Sequence, residues 1–175
     1  MKKLSMEELG RISPEEFKEM DKRPVVIVLD NIRSALNVGS IFRTSDAFAI
    51  RKICLCGFTA KPPHKEIEKS ALGATESVLW EEYATTLECV KQLQEEGYKI
   101  IAIEQADGST MLTEFKFKGE TEYAFILGNE VFGVDDEIME EIDDCIEVPQ
   151  HGTKHSFNVS VTAGIVLWDY FSKTK

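Results

Sequence analysis

The sequence contains no CxxC pair, no GxGxxG turn after its first strand and no long apolar run. Its four cysteines lack the spacing of a zinc site, and we expect Cys54 and Cys56 to be small buried side chains. The missing glycine turn argues against a Rossmann dinucleotide site. Without a stretch of about 18 apolar residues, neither a membrane span nor a signal peptide is expected. These absences predict a cytoplasmic protein with no metal ion and no membrane partner.

Positive charge is also in short supply, since 31 acidic residues stand against 20 basic ones and give a net charge of −11. Proteins that bind nucleic acid by neutralising phosphates usually carry a basic surface, so this balance counts against RNA binding. Net charge does not identify the surface that binds a partner, however, so a local basic patch is still possible. The candidates for that patch are Arg51, Lys52, Lys61, His64, Lys65 and Lys154.

Alternating strand and helix patterns define the expected fold. Residues 1–22 form a short helical arm that begins with a capping box at Ser13, and residues 23–175 form a single domain. The β-branched run at 24–29 is typical of a strand buried on both faces. Further strands are predicted at 53–56, 98–103, 123–127 and 145–148, and helices at 37–48, 67–72, 85–97, 134–143 and 158–171. The fold class is therefore α/β, with a mostly parallel sheet and helices on both faces.

Polar residues follow three of these strands. The first group runs from Asp30 through Arg43, the second covers 128–130, and the third covers 149–158. In open parallel sheets, ligands bind beyond the carboxyl ends of the strands, where all three groups fall. The residues thus predict the place of a site but not its reaction.

The three groups contain ordered motifs: Asn37-x-Gly39-x-x-x-Arg43-Thr44, Gly128-x-Glu130-x-x-Gly133 and Pro149-x-x-Gly152-x-x-x-Ser156-x-Asn158-Val159-Ser160. This combination resembles the SpoU (TrmH-type) RNA ribose methyltransferases of the SPOUT superfamily, over nearly the whole chain. The resemblance implies methyl transfer from S-adenosyl-L-methionine to a ribose 2′-hydroxyl of RNA, with tRNA placed ahead of rRNA. It also implies a homodimer and a carboxyl-terminal deep trefoil knot, which hydrophobic periodicity cannot predict.

The same resemblance assigns catalytic positions, namely Arg43, Asn37, Glu130, Ser156 and Asn158. A guanidinium stays protonated in proteins, so we expect Arg43 to hold a phosphate and stabilise the developing alkoxide. The phosphate or a water molecule would then take the ribose proton. Orientation alone can contribute roughly 7–11 kcal/mol to catalysis, so no metal is needed.

Each assignment has a simpler structural alternative. Arg43 could pair with Asp46 on its own helix, and Asn37 could be a plain helix N-cap. Glu130 could stabilise the amino end of the helix that follows it. Ser156 and Asn158 could be an ordinary capping pair for the last helix.

The cofactor is expected to contact mainly backbone. The resemblance places Gly128, Val148 and Phe157 in contact with it, and Ile103 and Glu104 in the lining of its slot. Phe157 departs from the leucine that is usual in the family.

The last predicted helix is apolar around most of its circumference, which one core-facing side does not require. We expect its second apolar face to form a homodimer interface, although Trp168 could instead fill the core. The acidic charge motivates an alternative function, a non-catalytic dimeric RNA-binding or assembly protein. Methylation of a base nitrogen is a third possibility.

Overall fold

Seven strands form one sheet in the computed structural model, which describes residues 1–5 and 7–174. In chain order they are β1 (Arg23–Asp30), β2 (Ile50–Cys56), β3 (Leu79–Tyr83), β4 (Lys99–Ile103), β5 (Thr110–Met111), β6 (Tyr123–Leu127) and β7 (Asp144–Glu147). Their order across the sheet is β3-β2-β1-β6-β4-β7-β5, and every neighbouring pair is parallel. The predicted α/β class with a parallel sheet is confirmed.

Helices cover both faces of the sheet. They are α1 (Pro14–Glu19), α2 (Ala35–Ala47), α3 (Lys65–Ala71), α4 (Ala74–Ser77), α5 (Thr86–Glu95), α6 (Asp136–Met139) and α7 (Val159–Lys173). The core on one face takes buried side chains from α1 to α4 and from α7, whereas the core on the other takes them from α5 and α6. None of the helices within the described ranges is both long enough and apolar enough to cross a membrane.

The central strand β1 shows why the sheet is buried. Val25, Ile27 and Leu29 point into one core, and Val26 and Val28 point into the other, all with no exposed surface. A β-branched run suits this position because stiff side chains pack well on both faces of a pleated strand. Cys54 and Cys56 of β2 and Cys89 of α5 are also fully buried, so the prediction of small buried cysteine side chains in β2 is confirmed.

Several predicted element ends agree with the structure. The hydroxyl of Ser13 accepts a hydrogen bond from the backbone of Glu16, whose carboxylate accepts one from the backbone of Ser13. This capping box begins α1, and Phe17 of that helix is buried against the core. Gly97 follows α5 with a φ of +90°, a conformation that glycine adopts without strain.

Strands β3 and β5 and helix α4 were not predicted. Strand β3 is largely exposed at the sheet edge, so it lacks an apolar signal, and β5 has only two residues. The helix predicted at 134–143 covers only Asp136–Met139. It ends early because the backbone N–H of Asp143 donates to the carbonyl of Ile100 at 2.9 Å, which draws the chain into the sheet.

Two helices bring the first and third motifs together. Helix α7 packs beside α2, where Gly164 faces the methyl group of Thr44. Helix α3 packs on the same α2 at Gly39, where a Cβ would lie 2.3 Å from a backbone carbonyl oxygen. Gly39 therefore permits close approach of two helices, and this packing fixes the start of α2 at the carboxyl edge of the sheet.

Candidate active site

Glu130 joins the loop after β6 to the start of α2. Its carboxylate accepts hydrogen bonds from the backbone N–H groups of Arg33 (2.8 Å) and Ser34 (3.0 Å), and from the side-chain amide of Asn37 (3.1 Å). Partial burial acts to raise the pKa of Glu130, but these hydrogen bonds outweigh it and hold the pKa below its ordinary value. The carboxylate thus stabilises the start of α2, not the amino end of the following α6.

Asn37 links all three motifs. Because the Glu130 carboxylate can only accept, the NH₂ group of Asn37 must face it, which leaves the Asn37 carbonyl oxygen for another donor. That donor is the side-chain amide of Asn158, at 3.1 Å. The N-cap of α2 is Ser34, whose hydroxyl accepts from the backbone N–H of Asn37, so the N-cap alternative for Asn37 is wrong.

Asn158 both caps a helix and takes part in the series of hydrogen bonds that joins Glu130, Asn37 and Asn158. Its side-chain oxygen accepts from the backbone N–H (2.9 Å) and the hydroxyl (2.6 Å) of Ser160, and it is the N-cap of α7. Its NH₂ group reaches Asn37 at the same time. Ser156 is exposed and is not the cap of this helix, and Asn158 caps it while also bonding Asn37, so the alternative of an ordinary capping pair is wrong.

Arg43 lies on α2, six residues and about 9 Å along the helix axis beyond Asn37. It is exposed, and its guanidinium makes no hydrogen bond or ion pair with any residue in the ranges 1–5 and 7–174. Asp46 accepts a hydrogen bond from the hydroxyl of Ser77 at 2.5 Å rather than pairing with Arg43. The alternative of an ion pair within α2 is therefore wrong.

A cavity of about 790 Å³ opens at the carboxyl ends of β4, β6 and β7. The predicted cofactor contacts all line it: Ile103, Glu104, Gly128, Val148 and Phe157. So do three of the predicted catalytic residues, Glu130, Ser156 and Asn158. Asn37 and Arg43 lie outside the lining, although Asn37 is bonded to two residues within it.

Two glycines and one carboxylate shape the wall of this cavity. A Cβ on Gly128 would lie 2.2 Å from the backbone of Gly133 and Val134, so the two loop segments can touch only without a side chain there. Gly133 has a φ of +74°. The Glu104 carboxylate accepts from the backbone N–H groups of Val134 (3.1 Å) and Gln105 (2.8 Å). Glu104 is thus a structural part of the wall.

Asn129 belongs to the polar group at 128–130 but was not among the predicted site residues. It is only 8% exposed, and its amide donates to the carbonyl of Asn31 at 2.6 Å. Its side-chain oxygen accepts from the backbone N–H groups of Val131 (2.9 Å) and Phe132 (3.2 Å). The available signal was a polar residue two positions after a strand of five buried residues, between Gly128 and Glu130.

Asp30 was also missed as a structural residue of this edge. It is 1% exposed and accepts from the hydroxyl of Thr86 (2.5 Å), the side chain of Asn31 (3.0 Å) and the backbone N–H of Asp135 (3.1 Å). Together with Asn129, it ties the end of β1 to the loop that lines the cavity.

Half of the predicted basic patch is neutralised by carboxylates. The ion pairs are Arg51 with Glu122 (2.7 Å), Lys52 with Glu81 (2.8 Å) and Lys61 with Glu82. Arg51 and Lys52 also stand at the start of β2, opposite the edge where the cavity opens. These three candidates therefore do not form a free basic patch.

No group of three or more His, Cys, Asp or Glu side chains in the described part of the chain is placed to hold a metal ion.

The sequence model of the SpoU rRNA Methylase family matches residues 24–168. The chain belongs to the SpoU rRNA methylase family. The family predicted from the three motifs is thereby confirmed, and the match covers the sheet from β1 to β7 and most of α7.

Relatives of this SpoU chain include RNA methyltransferases. It is 27% identical over 155 residues to the tRNA (guanosine(18)-2′-O)-methyltransferase of Aquifex aeolicus, covering 88% of this chain and 72% of that protein. It is also 27% identical over 151 residues to the 23S rRNA (guanosine-2′-O-)-methyltransferase RlmB of Neisseria meningitidis, covering 86% and 59%. The SpoU chain spans 58% to 61% of the length of five of its curated relatives.

Among solved structures, the AdoMet-bound rRNA methyltransferase from Sinorhizobium meliloti superposes with a TM-score of 0.79 at 26% identity. The alignment covers 91% of the SpoU chain and 60% of that protein. The parallel sheet described above is therefore the sheet of this family.

Proposed function

We propose that this chain is an S-adenosyl-L-methionine-dependent RNA ribose 2′-O-methyltransferase, a cytoplasmic homodimer that acts on tRNA or rRNA. The observation that carries the proposal is the hydrogen-bonded chain Glu130–Asn37–Asn158, which gathers one residue from each motif at the rim of the 790 Å³ cavity. The names of the Aquifex and Neisseria relatives support ribose as the methyl acceptor and RNA as the substrate.

The cavity fits the proposed cofactor. Its volume lies within the range of about 300–1,000 Å³ that is usual for small-molecule sites. Apolar side chains such as Ile103, Leu127 and Val148 offer a slot for adenine, and the close contact of Gly128 with Gly133 leaves backbone groups facing the space. When bound, S-adenosyl-L-methionine supplies a methyl group already activated by its sulfonium. The AdoMet-bound Sinorhizobium structure supports the same assignment.

The protein's own task is then to position the ribose oxygen and stabilise the charge that develops on it. The charged Glu130 fixes the orientation of Asn37, and Asn37 in turn orients Asn158. Asn158 and Ser156, both exposed in the cavity lining, would hold the ribose. The Arg43 guanidinium would bind the target phosphate and stabilise the alkoxide, while the phosphate or a water molecule accepts the proton.

A homodimer would bring Arg43 of one copy to the cavity of the other. Arg43 lies outside the cavity lining of its own chain, on a helix that packs beside α7. Val161 and Trp168 of α7 are 50% and 59% exposed and offer an apolar surface for a second copy. We infer that the cavity of one copy receives Arg43 from the other.

Methyl transfer to RNA tests the proposed activity. The substrate would be RNA from cells that lack the gene, incubated with labelled cofactor, and nucleoside analysis would separate ribose from base methylation. We expect ribose methylation that falls by at least about 100-fold in Arg43→Ala, because a charge-stabilising group of the active site is lost. Undiminished transfer by Arg43→Ala would contradict the assigned role, and cofactor binding without any transfer would favour the non-catalytic RNA-binding alternative.

Mixed dimers test whether Arg43 acts across the interface. One copy of the dimer would carry Arg43→Ala, and the other would carry Ala106→Trp, whose indole fills the cavity from its lining. If Arg43 acts in the partner's cavity, mixed dimers of the two inactive variants regain one working site. If it acts within its own chain, mixing restores nothing.

We also propose that residues 23–175 are the catalytic domain, that residues 1–22 are an arm, and that the carboxyl-terminal chain is knotted. The family match, which begins at residue 24, supports the start of the catalytic domain at residue 23. The knot is implied by the family resemblance, and the family match over residues 24–168 supports it.

A further inference from the structure

Phe132 is the most exposed large apolar side chain in the described ranges after Met1, at 86%. It lines the cavity together with Val131 and Phe157, which are 60% and 41% exposed. A single exposed apolar residue is common on protein surfaces and needs no explanation by itself. The position of Phe132 at the mouth of this cavity does need an explanation.

The backbone that carries Phe132 is held firmly. The side-chain oxygen of Asn129 accepts from the N–H groups of both Val131 and Phe132. The backbone N–H and carbonyl groups of Asn129 and Gly133 pair in both directions at 2.9 Å, and Glu104 holds the next N–H group. The aromatic ring is therefore presented on a closed turn, with little backbone entropy left to lose on binding.

The geometry of the reaction places a nucleobase near this turn. A ribose oxygen must come within about 3–3.5 Å of the methyl carbon to react. The base is attached to the same ribose, so it must lie at the mouth of the cavity that holds the methyl donor. Exposed aromatic side chains at that mouth offer the base a stacking surface, since nucleobases stack on such side chains whatever their sequence.

The acidic net charge of the protein also favours base stacking as a source of affinity for RNA. The net charge of −11 and the pairing of Arg51, Lys52 and Lys61 with carboxylates weaken phosphate neutralisation as a source of affinity for RNA. Stacking does not depend on charge and can supply the missing affinity. We propose that Phe132 is the stacking platform for the base of the target nucleotide. This inference rests on the proposed RNA methyltransferase function.

A second copy of the chain is the competing occupant of this surface. The exposed side chains Val161 and Trp168 of α7 lie outside the cavity lining, whereas Phe132 lies within it. The target nucleotide must enter the cavity, so it is the occupant that we favour.

Kinetics of Phe132→Ala, with RNA from cells lacking the gene as substrate, test the stacking role. Loss of one stacked base is expected to raise the KM for RNA by roughly 5- to 150-fold, at low and high salt alike. Phe132→Trp should retain the wild-type KM, because indole also stacks. Leu79→Ala is the matched control, since Leu79 is 58% exposed at the start of β3, on the opposite edge of the sheet.

A fluorescence titration makes the test independent of catalysis. The added indole in Phe132→Trp should be quenched by the same RNA, beyond the change seen for Trp80 and Trp168 in the wild type. If the wild-type enzyme transfers no methyl group, the proposed function fails, and the quenching still decides whether Phe132 binds a base.

Three results would overturn the inference while leaving the proposed function standing. The first is an unchanged KM for RNA in Phe132→Ala with an active wild type. The second is weaker binding of S-adenosyl-L-methionine by Phe132→Ala in calorimetry, which would make Phe132 a cover for the cofactor. The third is a lower oligomeric mass of Phe132→Ala in light scattering, which would place Phe132 in a subunit interface.

Discussion

Neutralising Glu130 tests the central hydrogen-bonded chain. In Glu130→Gln, one side-chain oxygen can still accept from Ser34 and Asn37, but the new NH₂ group faces the N–H of Arg33 and cannot accept from it. Hydrogen bonds to charged groups contribute about 1.5–3 kcal/mol each, and exposure to solvent reduces this. We therefore expect Glu130→Gln to lower the free energy of unfolding by about 1 kcal/mol, and Glu130→Ala by about 2 kcal/mol.

The same variant should show a defined pH dependence. The pKa of Glu130 in the folded state lies below its ordinary value of 4.5, so the folded protein holds the charged form more tightly than the unfolded chain does. Its contribution to stability is complete above the unfolded pKa and is lost as the pH falls through the folded pKa. The stability gap between wild type and Glu130→Gln should thus be constant near neutral pH and close in acid.

Urea unfolding followed by circular dichroism measures this gap at each pH. Glu120→Gln is the matched control, since it removes the same charge from an exposed residue that makes no side-chain hydrogen bond or ion pair within the described ranges. Equal stability of Glu130→Gln and wild type at neutral pH would refute the reasoning. So would a gap that stays the same well below pH 4.5.

Substitutions at three further positions follow from the geometry, with stability measured by urea unfolding and methyl transfer by the labelled-cofactor assay. Asn158→Ala should cost about 1 kcal/mol of stability through loss of the N-cap, whereas Asn158→Asp should keep the cap but reduce methyl transfer, because it has no donor for Asn37. Gly39→Ala should cost about 1–3 kcal/mol, since its Cβ would lie 2.3 Å from a carbonyl oxygen of α3, while Gly119→Ala meets nothing within 4 Å and should be neutral. Asp30→Ala should cost about 3 kcal/mol, because it leaves three hydrogen-bond donors without their partner.

Local signals in the sequence predicted a large part of the fold. The run at 24–29 could be recognised as a fully buried strand because its β-branched residues are uninterrupted. Ser13 and Gly97 marked helix ends because capping depends on neighbouring residues alone. The edge strand β3 gave no such signal, since its side chains are mostly exposed and its register comes from pairing with β2.

The site was predictable in place but not in detail. Parallel strands bring their carboxyl ends to one edge, so the three polar groups had to meet there. The bonds that connect them join residues 93 and 121 positions apart, and no local pattern encodes such a separation. Asn129 and Asp30 were missed for the same reason, since their partners lie in other loops. The assignment of a reaction came from the family resemblance.

The acidic composition is compatible with an RNA substrate because two carboxylates near the cavity accept hydrogen bonds from backbone N–H groups. Glu130 and Glu104 each accept two backbone N–H groups, so their charges stabilise the loops of the site without engaging a cation. Within the ranges 1–5 and 7–174, Arg43 likewise has no carboxylate partner. A guanidinium that had to leave an ion pair would lose that interaction on binding a phosphate, whereas Arg43 exchanges only water for it. The arrangement thus keeps the Arg43 cation available for a phosphate in a protein whose net charge is negative.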